Sequence, residues 1–191
     1  LAMAGRASRK TAVASKKAAA PAAKISRSTL TVRKDPSDLR DCHYAPPPVS
    51  LYEAFPTDAD VKALLPVYTR AGLILDQGQE GACTGFGLAC VVNYLRWRKA
   101  GMPKSMDSVS PRMLYNFARR YDEYAGEDYD GSSCRGALKG WYNHGVCLAP
   151  DWPYEEGPSG TSLRPRYGYA QRAAQQTLGV YFRVELKSIT D

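Results

Sequence analysis

At 191 residues, with 44% hydrophobic and 24% charged side chains, the chain has the length and balance of one globular domain with a sizeable core. Its net charge of +7 is unevenly placed, because ten of the 26 Lys and Arg lie in residues 1–40 against only Asp35 and Asp38. No apolar run approaches the roughly 20 residues of a membrane-spanning helix, and the five cysteines show no metal-ligand spacing such as C-x-x-C, so neither a metal nor another cofactor is expected.

Residues 1–35 are rich in Ala, Lys, Arg and Ser, with hardly any large apolar side chains. Such a segment cannot offset its ordering entropy by burial and reads as a disordered basic tail. It lacks the interleaved aromatics that would argue for nucleic acid as its partner. Residues 36–65 read as an N-terminal extension, with Asp35-Pro36 and Pro46-Pro47-Pro48 as turns and one or two helical turns at Asp58–Leu65. His43 stands between Cys42 and Tyr44, and adjacent side chains do not aim at one another, so it reads as a surface residue.

The stretch Asp76-Gln77-Gly78-Gln79-Glu80-Gly81-Ala82-Cys83 is a polar, glycine-bearing loop that feeds an apolar segment running to about Lys99. Cys83 falls at the mouth of the expected helix. Unpaired N–H groups of a first turn and the helix dipole favour negative charge there, and a thiol so placed is readily held as the nucleophilic thiolate. Gln77 can turn its amide N–H toward the same spot, and a side-chain amide with a backbone N–H makes an oxyanion hole. A cysteine in an apolar helix is more often a small buried hydrophobe. That reading fits Cys90, two turns further on. Apolar residues around most of the circumference, from Phe86 to Trp97, predict a helix buried on several sides. The helix cost of Gly85 and Gly87 makes sense if another backbone or a peptide approaches there.

Ser110-Pro111 opens a second helix, with Ser as cap and Pro in the first turn. Met113, Leu114, Phe117, Ala118 and Tyr121 form its apolar face. After an acidic loop, Glu123–Asp130, a third helix is expected from about Ser133 to Asn143, stopped by Gly145. His144 reads as a helix-terminal residue satisfying the dipole. Arg164–Gln176 is basic and polar. Val180, Phe182, Val184 and Leu186 alternate with polar neighbours as a half-buried strand, and Ile189-Thr190-Asp191 looks like the entrance of another helix.

Gln77-Gly78-x-x-Gly81-Ala82-Cys83 resembles the active-site segment of the papain-like cysteine peptidases, Q-G-x-C-G-S-C-W, with the family's Gln-to-Cys spacing. Gly131-Ser132, Gly145-Val146 and Trp152-Pro153-Tyr154 follow in the order and spacing of the family's Gly-Gly, Gly-Ile/Val and Tyr-Pro-Tyr. The resemblance implies an α+β papain-like fold: the helical half with its central nucleophile helix, plus the start of the β half. It implies Cys83 as nucleophile and Gln77 as oxyanion donor. Gly81 would border the site, Gly131 and Ser132 would take the substrate main chain, and Ser133 and Cys134 would edge a side-chain pocket.

Three positions depart from the family. Glu80 stands where a bridge Cys is usual, Thr84 where the Trp after the nucleophile is usual, and Ser132 replaces the second Gly. The family's base, a His some 130–150 residues beyond the Cys, and its Asn fall outside a chain with 108 residues after Cys83. The expectation is therefore an incomplete peptidase domain at residues 66–191, preceded by a propeptide-like segment or extension at 36–65. Its partners would be a peptide or protein substrate and the remainder of the domain, on the same longer chain or a second one. Alone it should not turn over peptide. A module of the same fold that binds peptides without cleaving them is the alternative.

Overall fold

Caps and apolar spacing place five α-helices among the described residues: α1 (Asp58–Arg70), α2 (Cys83–Lys99), α3 (Pro111–Arg120), α4 (Cys134–His144) and α5 (Tyr169–Ala173). The computed structural model describes residues 36–45, 56–123, 131–154 and 164–183. The expectations for residues 1–35, 46–48, 124–130, 184–186 and 189–191 lie outside them.

Thr57 opens α1 with a capping box, its hydroxyl accepting from Asp60 N–H at 3.2 Å while the Asp60 carboxylate accepts from Thr57 N–H at 2.9 Å. The helix is longer than expected. It runs through Pro66 to Arg70 and so crosses the anticipated boundary after residue 65. Pro66 offers no N–H to the Lys62 carbonyl, and on a helix with no buried residue solvent can serve that carbonyl. Leu64, Val67 and Tyr68 hold α1 against Ala71, Leu73 and Trp97.

Both ends of α2 are as expected, but its surroundings are not. Gly85, Phe86, Ala89, Val92, Asn93 and Trp97 are buried, whereas Cys83, Gly87, Cys90, Val91, Tyr94 and Leu95 are exposed. These six recur at helical spacing, so the helix is covered along one face and bare along the stripe that begins at Cys83. Cys90 is therefore not a core residue. An all-round apolar helix does not state which side its neighbours cover; here α3, α4 and the 108–109 segment take one side, and α1 meets only the C-terminal end, through Trp97 and the Tyr94 ring.

The close approach anticipated on α2 is real at Gly85, where a Cβ would lie 2.7 Å from the Pro111 carbonyl oxygen of α3. At Gly87 nothing lies within 4 Å, so that glycine has no such reason. Gly136 and Gly140 do the same for α4, where a Cβ would come within 2.6 Å of the Ala118 carbonyl and 2.7 Å of Phe117 Cβ. Helices α2, α3 and α4 thus stack in that order around Ala89, Val92, Val109, Leu114 and Val146. Buried Asn93 stitches α2 to the next segment, accepting from Val109 N–H at 2.9 Å and donating to Ser108 at 2.8 Å.

The expected strand at 180–186 is represented among the described residues by an isolated parallel bridge between His43 and Arg183. With the antiparallel Val109–Leu148 bridge, it is what the described residues hold of β structure, so they bear out the helical half of the expectation and do not establish its β half. Within the basic 164–176 stretch, Tyr169–Ala173 instead forms α5, whose Ala173 packs with Met113, Cys147 and Trp152.

Residues 36–45 lie against α4. Asp41 accepts from Arg135 at 2.6 Å and from Arg183 at 2.8 Å, and Arg135 also binds Glu123 at 2.8 Å. Cys42 and Tyr44 exchange backbone hydrogen bonds with Arg183 at 2.8 and 2.9 Å. Among the described residues no helix is long and apolar enough to cross a membrane.

Candidate active site

Cys83 is the first residue of α2 and is exposed. Ala82, at the N-cap, has no side-chain acceptor, and no acidic residue sits in the first turn. No side chain caps the N–H groups of that turn, and with the helix dipole this is the electrostatic setting for a developing negative charge.

The loop before Cys83 is held at several points. Gln77 is half-buried, and its Nε2 donates to the Glu80 carbonyl at 3.1 Å, which also accepts from Ala82 N–H at 2.7 Å. Gly78 N–H donates to Asp76 at 3.0 Å. The Tyr154 hydroxyl donates to the Gln77 carbonyl at 2.7 Å. The Glu80 carboxylate receives both ends of the Arg112 guanidinium at 2.6 Å, and Arg112 also lies 4.3 Å from the Tyr154 ring centre. That ion pair, with Arg112 almost wholly buried on α3, holds the Glu80 carboxyl below the usual glutamate range against the opposing effect of burial. Tyr154 further packs edge-to-face on Phe86 of α2, ring centres 4.7 Å apart.

Thr84 Oγ1, on the second residue of α2, and Ser132 Oγ are 2.5 Å apart. Ser132 follows Gly131, whose φ of 151° suits glycine. It precedes buried Ser133, which caps α4 by accepting from Gly136 N–H at 2.9 Å. Cys134 is exposed at the first position of α4. The fold therefore brings Ser132 against Thr84 in the first turn of α2, and Gly81 is half-buried in the loop between Gln77 and Cys83. None of the five cysteines is in a disulfide. Buried Cys147 has its thiol pushed up to about 11 by desolvation, which removes it as a nucleophile.

Neither histidine has the setting of a partner for Cys83. His144 closes α4, an 11-residue helix and hence about 16 Å long, at the end opposite Ser132. Its Nε2 meets the Tyr121 hydroxyl at 2.8 Å and its ring stacks on Phe117 at 4.1 Å. Burial, helped by Arg120, pushes its pKa down. His43 is exposed on the segment paired with Arg183. Among the described residues no group of three His, Cys, Asp or Glu side chains could hold a metal ion.

Arg112 is a part of this site that sequence reasoning missed, and Tyr154, legible only within Trp152-Pro153-Tyr154, had no role assigned to it. Arg112 carried a signal, as an arginine set between Pro111 and Met113 at the start of an apolar helix. Buried there it needs an acidic partner, and Glu80 is a long-range one, 32 residues away.

No protein-family model matches the chain, and no curated protein matches it either. Among solved structures it is similar to xylellain, a cysteine protease from Xylella fastidiosa, with 20% sequence identity and a TM-score of 0.55 over 79% of this chain. The match spans 56% of the xylellain chain, little more than half its length. At that identity the likeness is one of fold: the described helices are arranged like part of a cysteine protease.

Proposed function

We propose that this chain carries the nucleophile-bearing part of a papain-like cysteine peptidase. Cys83 Sγ adds to a peptide carbonyl carbon, the carbonyl electron pair moves to oxygen, and the Gln77 amide and Cys83 N–H hold that oxyanion. Collapse expels the amine, which leaves protonated, and water then releases the acyl group. Gly131 and Ser132 bind the substrate main chain, while Gly81, Ser133 and Cys134 border the site. The general base that takes the thiol proton comes from outside the 191 residues. Such a base is needed, His144 is engaged elsewhere, and nearly half of the xylellain chain has no counterpart here.

The observation that supports this reading is an exposed thiol at the first residue of α2, a turn with no side-chain cap, which follows the Gln77–Glu80 loop and whose next residue, Thr84, touches Ser132. The test is hydrolysis of a fluorogenic peptide library by the full-length natural protein. Cys83→Ala should lower kcat/KM by more than about a thousandfold, while Cys90→Ser, on the same exposed stripe, should leave it unchanged. Equal losses, or none, contradict the assignment.

The Thr84–Ser132 contact, at two positions that differ from the family, supports a second reading: a module that binds extended peptides without cleaving them. Peptide binding that survives Cys83→Ala, with no hydrolysis by the parent, would select it.

A further inference from the structure

Four residues around the loop close on one another. Tyr154 donates its hydroxyl to the Gln77 carbonyl, its ring lies under Arg112, Arg112 grips Glu80 with both nitrogens, and the Glu80 carbonyl takes one N–H of the Gln77 amide. The ring of contacts returns to its starting residue. It draws on three separate parts of the chain: the 77–80 loop, the first turn of α3 and the segment after Trp152.

Each link has a definite chemical consequence. A guanidinium bound bidentately to a carboxylate fixes orientation as well as distance. Arg112 is 2% exposed, so its charge has little water to fall back on. A primary amide has two N–H bonds. Glu80 consumes one of Gln77's, which fixes the plane of the amide and leaves the second N–H as its donor to a ligand. The same carbonyl of Glu80 accepts from Ala82 N–H, one residue before Cys83. Whatever moves Glu80 therefore moves both elements assigned to the oxyanion site.

We propose that Glu80, Arg112 and Tyr154 are positioning residues for the oxyanion site: their ion pair and hydroxyl set the Gln77 amide and the Cys83 N–H at the spacing a tetrahedral oxygen needs. This rests on the peptidase reading. It assigns to an ion pair, at the position where a papain-like enzyme has a bridge cysteine, the work of holding the loop. The link has no redox chemistry, so reductant does not open it.

The experiment separates thiol reactivity from oxyanion binding. In the full-length protein, the iodoacetamide alkylation rate of Cys83 is read by mass spectrometry. Protection of Cys83 by a peptide aldehyde is then measured, since the hemithioacetal oxygen occupies the oxyanion site. Glu80→Gln and Tyr154→Phe are the main variants. Tyr154→Phe keeps the ring and removes one hydroxyl, so it tests the circuit without stranding the Arg112 charge. Arg112→Lys against Arg112→Met tests rescue by a conservative change.

The aldehyde dissociation constant should rise about tenfold in Glu80→Gln and several-fold in Tyr154→Phe, while the alkylation rate stays within about twofold. Arg112→Lys should be less impaired than Arg112→Met. If the parent is protected and the folded variants are protected equally well, the positioning role is overturned and the peptidase reading stands. The positioning role is overturned in the same way if alkylation and protection fall in proportion. If the aldehyde gives the parent no protection, the peptidase reading fails and this inference with it.

Discussion

Thr84 Oγ1 and Ser132 Oγ lie 2.5 Å apart, joining the second residue of α2 to the segment that leads into α4 across 48 residues of sequence. Each hydroxyl stands at a position where the papain-like pattern has another residue, and the two departures meet. A half-buried hydroxyl deprived of its partner costs about 1 kcal/mol. Thr84→Val and Ser132→Ala should therefore each destabilise by about that amount. The double variant should cost less than the sum, as denaturant melts of the four proteins would reveal. Strict additivity would mean that the contact carries no coupling.

The bare stripe of α2 makes a second expectation. Leu95 is 56% exposed and Val92 only 4%. Leu95→Gln should shift stability by no more than about 0.5 kcal/mol, and Val92→Gln by several times that, because it buries an unpaired amide. Thermal or urea melts decide. A large loss at Leu95 would mean that some part of the protein covers this face.

What the sequence made legible was local. Ser110-Pro111 and Gly145 marked the ends of α3 and α4 because caps are written within a few residues of the helix they bound. The glycine-bearing loop placed Cys83 on the helix boundary for the same reason. The open face of α2 could not be read, since apolar residues on every side name no neighbour. Pro66 hid the second half of α1, and the charged residues of 164–176 hid α5. The Glu80–Arg112 pair and the Thr84–Ser132 bond join distant segments, and no periodicity announces them.

Gly145 and Gly87 form a matched pair of opposite sign. Gly145 has φ of 70°, and a Cβ there would sit 1.9 Å from the Ala173 carbonyl oxygen. Gly145→Ala should cost more than about 2 kcal/mol, through backbone strain and displacement of α5. Gly87 lies inside α2 with nothing within 4 Å. Gly87→Ala should stabilise by up to about 1 kcal/mol through helix propensity alone. Calorimetric midpoints of the two variants should fall on opposite sides of the parent.

The segment at 36–45 should depend on pH through Asp41. Hydrogen bonding to Arg183, aided by Arg135 and opposed by burial, lowers its pKa in the folded state. A depressed carboxyl contributes stability that is present above the ordinary aspartate range and lost as pH falls through the folded value. At neutral pH the Tyr44 and Arg183 amides, which pair this segment with the 183 region, should exchange about tenfold faster in Asp41→Asn than in the parent. The difference should close as the parent is acidified below the aspartate range. Exchange that is equal at neutral pH would show that Asp41 does not hold the segment.

Four exposed thiols, Cys42, Cys83, Cys90 and Cys134, sit in one protein and control for one another. The decisive measurement treats the full-length protein with a peptidyl vinyl sulfone and, separately, with iodoacetamide, and maps each adduct by mass spectrometry. Iodoacetamide should mark all four, whereas the peptide reagent should mark Cys83 alone. Peptide adducts spread over the four thiols in the iodoacetamide proportions, or concentrated on one other than Cys83, would contradict the account.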